Sequence, residues 1–218
     1  MLTKDYIMRM IDMLIKVLER LLLMKESKNY NEALDEIEKV TKELFGLNRK
    51  FINSLSDSQL IKMIAISETL FAPNCYLLGV LFKEEAEIFK LQGEPEKSTE
   101  MYERSLIFFV EGLKNSNAAI EPDHLTKINQ VIETLGDEAI SVSAERNLVF
   151  YFELIGKFDK AEDLLYDLID FDSKYINDGI QFCERLLKKE DNVLIHGNLP
   201  REEITDSLSF LKNKIKNI

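Results

Sequence analysis

Glu121, Asp123 and His124 are the residues whose types and spacing come nearest to metal chemistry. Glu121-Pro122-Asp123-His124 spells Glu-x-x-His, the pair that helical di-iron sites use. Such a site needs two pairs and two further carboxylates, all projecting from helix interiors. Here Pro122 puts the motif at a helix start, where acids favour the dipole, and there is no second copy. The other histidine, His196, sits in His196-Gly197-Asn198-Leu199-Pro200, which reads as a turn. Cys75 and Cys183 stand alone in helix-like segments and read as buried free thiols, as in a reducing compartment. No Walker-type, dinucleotide-binding or Gly-x-Ser-x-Gly pattern occurs. The expectation is a protein that is not an enzyme, with no catalytic residue, metal or cofactor.

Charge narrows the partners. The 218 residues carry 39 acids against 28 bases, a net charge of −11 that repels phosphate backbones. Lys212, Lys214 and Lys216 alternate with apolar residues and more simply complement the negative end of a last helix. No nucleic-acid partner is expected. No apolar run approaches the roughly 18 residues that span a bilayer, and the N-terminus lacks the pattern of a secretory signal. The reading is a cytoplasmic protein without a membrane partner.

The elements that would position any site are helices. Apolar residues recur at three- and four-residue steps over 4–28 and 31–51. Ser56-Asp57 offers an N-cap for a helix to about residue 71, and Pro73 is expected to break the chain before a helix over 76–91. Gly93 ends that helix, and Pro95 suits the start of the next, to residue 114. Further helices are predicted over 123–135, 137–155, 159–169, 172–189 and 201–216, with 191–200 as the longest irregular stretch. No segment alternates with period two. The fold class is all-α, about ten helices.

A repeat runs through these helices. Gly156-Lys157-Phe158-Asp159-Lys160-Ala161 has a small residue, an aromatic two on and an alanine three further, the bend of a tight hairpin. Lys28-Asn29-Tyr30-Asn31-Glu32-Ala33 and Gly93-Glu94-Pro95-Glu96-Lys97-Ser98 are degraded copies, with centres 65 and 63 residues apart. Independently, Leu60, Lys62, Met63, Ile66, Glu68, Thr69 and Leu70 align with Leu125, Lys127, Ile128, Val131, Glu133, Thr134 and Leu135 at the same offset of 65. The implied unit is a hairpin plus one helix. The chain reads as a single repeat domain over 1–218, with units near 4–72, 74–136 and 137–190 and a terminal helix over 201–216.

These hairpins resemble tetratricopeptide repeats. Gly156, Phe158 and Ala161 match that family's turn, and Leu148 and Phe152 match its first-helix packing positions. Ala86, Phe89, Gly93, Ser98 and Tyr102 match in the second hairpin, and Leu21, Met24, Tyr30 and Ala33 in the first. The family's aromatic at the first-helix start is replaced by Glu145, and its terminal proline is missing. The opening Lys4-Asp5-Tyr6-Ile7-Met8-Arg9-Met10-Ile11 also resembles the start of an uncharacterised family of bacterial helical proteins.

The tetratricopeptide resemblance implies an interaction module that binds a peptide or protein segment in a groove between hairpins. Its groove-facing positions here would be Lys83, Glu84 and Glu87, then Arg146, Asn147 and Phe150. Arg146 and Asn147 would hold a carboxylate or backbone, and Phe150 would give an apolar floor. The alternative is a structural protein that homodimerises through its apolar N-terminal helix, at Met8, Met13 and their neighbours. Phe108-Phe109 and Tyr151-Phe152 must each point two ways from one helix. Core packing is the simpler reading, and a groove or dimer face the other.

Overall fold

The computed structural model describes residues 2–65, 67–115, 122–136 and 138–216. Among them are twelve α-helices and no strand, arranged in two compact units, Met1–Ala139 and Ile140–Ile218. The first unit holds α1 (Leu2–Glu26), α2 (Tyr30–Phe45), α3 (Arg49–Ser54), α4 (Asp57–Ile64), α5 (Glu68–Gln92), α6 (Pro95–Lys114) and α7 (Pro122–Leu135). The second holds α8 (Val142–Leu154), α9 (Phe158–Phe171), a 3-10 turn (Ser173–Tyr175), α10 (Ile176–Leu186), α11 (Asp191–His196) and α12 (Arg201–Lys216).

Three turns join α1 to α2, α5 to α6 and α8 to α9, and they are built alike. Lys28, Gly93 and Gly156 all take a left-handed backbone, with φ of 60°, 76° and 76°. The amide of the following residue reaches back five positions in each case: Asn29 to Met24 at 2.8 Å, Glu94 to Phe89 at 2.9 Å, Lys157 to Phe152 at 2.9 Å. This is the Schellman closure, which satisfies carbonyls left over at a helix end. Ala33, Ser98 and Ala161, five residues after the left-handed position, are all buried. Small side chains there let the second helix lie close on the first, and Ser98 adds a hydrogen bond from Oγ to the Ala86 carbonyl at 2.9 Å.

The α5/α6 hairpin is the core of the first unit; α1, α2 and α4 pack on α5, and α7 packs on α6. Both helices are buried on more than one side, so adjacent residues that point in different directions are both covered. Phe108 and Phe109 are fully buried: Phe108 meets Phe82 at 5.3 Å between ring centroids, and Phe109 meets Tyr76 and His124. Gly79 lets α6 approach so closely that its carbonyl accepts from Ser105 Oγ at 2.7 Å. In the second unit, Tyr151 and Phe152 are likewise core residues, α8 packs on α9, and α10 packs on α9 and α12.

Several boundaries differ from the sequence reading. The helix expected over 31–51 is divided, because Gly46 adopts φ 70° and caps α2 before α3 begins. Pro73 does not break the chain but lies inside α5. It leaves the Thr69 carbonyl without its helical donor, while the apolar face through Phe71, Cys75 and Leu78 stays buried across it. The interruption falls earlier, where Ser67 is extended at φ −142°, ψ 125°. Consequently Leu60–Met63 lie in α4 and Glu68–Leu70 open α5, whereas Leu125–Leu135 lie in one helix, α7. Ile66 lies outside the described residues.

The stretch 191–200, expected to be irregular, contains α11. Arg201 fastens it, donating from Nε to Asp191 at 2.5 Å and from Nη1 to the Leu187 carbonyl at 2.9 Å. Behind α11, Gly197 is buried against Phe158, and its carbonyl accepts from the Asp159 amide at 3.2 Å. The His196–Pro200 segment is therefore packed onto the Gly156–Ala161 turn.

Candidate functional site

The site residues expected from sequence fall into two groups. Lys83, Glu84 and Glu87 lie on α5 in the first unit, and Arg146, Asn147 and Phe150 on α8 in the second. The first group is engaged within the fold. Lys25, at the end of α1, donates to Glu84 at 2.7 Å and to Glu87 at 2.5 Å, and Lys83 pairs with Glu87 one turn away. Burial alone would lower the Lys25 ammonium, but the bonds to both glutamates outweigh it and raise its pKa. Burial alone would raise Glu87, but Lys25 and Lys83 hold it below the usual carboxylate value. The cluster clamps α1 to α5.

The second group lies beside a groove of about 160 Å³ among α8, α9 and α10. Val149, Phe150, Leu165, Leu168 and Phe182 make its apolar floor. Arg146, 56% exposed, stands at the rim with its guanidinium 3.9 Å from Asp178 and 5.5 Å above the Tyr175 ring. Asn147 is buried and donates to the Ser143 carbonyl at 2.9 Å, so it faces the helix and not the groove. Arg185 forms a two-pronged pair with Glu153 at 2.8 and 2.7 Å, and Gln181 completes the rim. The sequence reading missed Arg185 and Gln181. The amphipathic pattern of α10 makes it a helix without saying which hairpin receives it.

A larger cleft of about 470 Å³ lies in the first unit, lined by Arg49, Glu85, Phe89, Lys97 and Glu100 among others. Two of its ion pairs are internal, Arg49 with Glu85 and Lys97 with Glu94.

The Glu-x-x-His residues are divided. Glu121 lies outside the described residues. His124 is half-buried, edge-on to Tyr76 at 5.0 Å, and its Nε2 donates to the Phe109 carbonyl at 3.0 Å. Asp123 accepts from the Tyr76 hydroxyl at 2.6 Å and from Lys127 at 3.0 Å. These contacts pin α7 to the α5/α6 hairpin. Among the described residues no three His, Cys, Asp or Glu side chains converge as metal ligands. Cys75 and Cys183 are buried and unbridged, and burial pushes their thiols up to about 12 and about 11.

Burial lowers the His124 pKa below its ordinary value, against the opposing pull of the Phe109 carbonyl and Asp123. The unfolded chain therefore takes up this proton first, so stability is full above the unfolded imidazole pKa of about 6.5 and falls as pH drops below it. His124→Phe keeps the ring packing and removes the titration. The urea midpoint of wild type should fall relative to that of the variant between pH 7.5 and pH 5. A constant difference between the two would remove His124 as the cause. Glu85, whose pKa is raised, acts in the opposite direction and cancels in the comparison.

Among the described residues no helix is long and apolar enough to cross a membrane. Comparison with curated proteins and with solved structures finds no match. Residues 1–216 match a family of unknown function, DUF6483, and the chain belongs to that family.

Proposed function

We propose that this protein is a non-enzymatic interaction module that holds a peptide or protein segment between helical hairpins, in the manner of tetratricopeptide-like arrays. The observation that carries the reading is the groove among α8, α9 and α10, with its apolar floor and Arg146 at the rim. The pairing of Arg146 with Asp178 is long at 3.9 Å, and a bound carboxylate at hydrogen-bonding distance competes well with it. The preferred segment has an apolar side chain for the floor at Phe150 and an acid for Arg146. The three equivalent turns support the comparison with tetratricopeptide hairpins, and two buried, unbridged thiols suit a cytoplasmic setting.

Panning a displayed peptide library on the whole chain tests this. Enriched peptides should pair an apolar residue with a nearby acid. Arg146→Ala should weaken the selected peptides about tenfold, the value of one charge-assisted contact. Phe150→Ser should weaken them further, with circular dichroism unchanged. Enrichment indifferent to both substitutions would remove the groove from the claim.

A further inference from the structure

Helix α1 carries two apolar faces and the fold covers one. Met10, Leu14, Val17 and Leu21 are buried against the rest of the first unit. Met8, Ile11, Ile15 and Leu22 are between 43% and 55% exposed, and half-buried Leu18 completes their row. The steps along that row are three, four, three and four residues. That is the a/d seam of a coiled coil, which keeps apolar residues facing a second helix. At about 1.5 Å per residue the seam is roughly 21 Å long.

Charge on its flank says what fits. Asp5, Asp12, Glu19 and Glu26 follow one another at seven-residue steps along one edge, all exposed and in no ion pair among the described residues. Arg9 and Lys16 stand one row further out, four residues after Asp5 and Asp12. Arg20 is committed to Glu36 and Lys25 to Glu84 and Glu87, so the edge is least compensated at Glu19 and Glu26. A second copy fits poorly in either direction. Antiparallel pairing of two α1 helices sets acid row against acid row. Parallel pairing sets it against the row of Leu14 and Leu21, which each copy keeps in its own core.

We infer that the outer face of α1 docks an amphipathic helix of another protein whose apolar seam is flanked by lysine or arginine. This surface is separate from the groove on α8 and stands or falls independently of it. Two synthetic helices of about 21 residues, three heptads, with one leucine–isoleucine seam and either lysine or glutamate at every flanking position, test the inference. Like charges keep each peptide from pairing with itself. Fluorescence anisotropy with the whole chain should show the lysine peptide binding at least about tenfold more tightly at low salt, with the gap narrowing as salt screens it. Ile15→Ser, a surface change, should abolish binding, and combined Glu19→Lys and Glu26→Lys should reverse the preference. Equal affinity for the two peptides, or binding of neither, would overturn the inference. So would a dimer in light scattering that Ile15→Ser dissociates, since the occupant would then be a second copy.

Discussion

Arg49→Met is expected to destabilise the first unit by about 3–5 kcal/mol near neutral pH, the usual cost of leaving a buried charge without its partner. Glu85 projects from the middle of α5 with 3% exposure, and Arg49 Nε donates to it at 2.7 Å from α3. Burial raises the Glu85 pKa even with Arg49 present, and the Arg49 charge and hydrogen bond are the main opposing influences. Without them the carboxyl is driven further towards its protonated form. A carboxyl whose folded pKa lies above its unfolded one binds protons more readily when folded. Stability is therefore regained as pH falls through the folded value towards the ordinary carboxylate range. Urea unfolding followed by circular dichroism at pH 8 and pH 5 should show a large deficit that shrinks in acid. Adding Glu85→Leu should recover most of the loss at pH 8, because removing both partners leaves no orphaned charge. A deficit that neither acid nor Glu85→Leu reduces would mean that Arg49 acts through packing over Phe89, 5.4 Å away.

Gly197→Ala should cost about 2–3 kcal/mol in the second unit, near the upper end for overpacking a filled core. A β-carbon at Gly197 would lie 2.2 Å from a Phe158 ring carbon and 2.8 Å from the Gly156 carbonyl oxygen. The ring is buried and the carbonyl belongs to the turn, so neither can retreat without moving α9. Gly156→Ala is the control. Its β-carbon meets nothing within 4 Å, and only the left-handed φ of 76° opposes it, a strain of about 1–2 kcal/mol. Thermal unfolding of the two variants should rank Gly197→Ala well below Gly156→Ala. The reverse order would show that backbone strain at the turn outweighs the close approach behind it.

Local chemistry was readable in the sequence wherever it acted alone. Gly93 and Gly156 announce left-handed caps, Pro95 stands where α6 starts, and Ser56 forms its capping box with Gln59. The reading failed where a distant contact or continuous burial decided the outcome. Pro73 looked like a break, yet α5 is held on several sides and passes through it. Gly46 followed an unbroken apolar stripe, so periodicity hid the end of α2. The pairing of Glu84 and Glu87 with Lys25, 59 residues upstream of Glu84, is such a distant contact, and local sequence does not announce it. Arg146 and Phe150 line the groove, but Asn147 between them turns inward, as adjacent residues on a helix must diverge.

The three matched turns bear on how fast the chain can fold. Each joins two helices that are sequence neighbours, so the loop to be closed is only a few residues and the entropy lost in closing it is small. Hairpins α1/α2, α5/α6 and α8/α9 can therefore form from nearby contacts before any distant pairing is made, on the microsecond scale of helix formation and short-loop closure. The slower event is the search that brings Lys25 to Glu84 and Arg49 to Glu85, contacts separated by 59 and 36 residues. Arg49 then belongs to the late, assembling phase of the first unit, while Gly156 belongs to the early phase of the second.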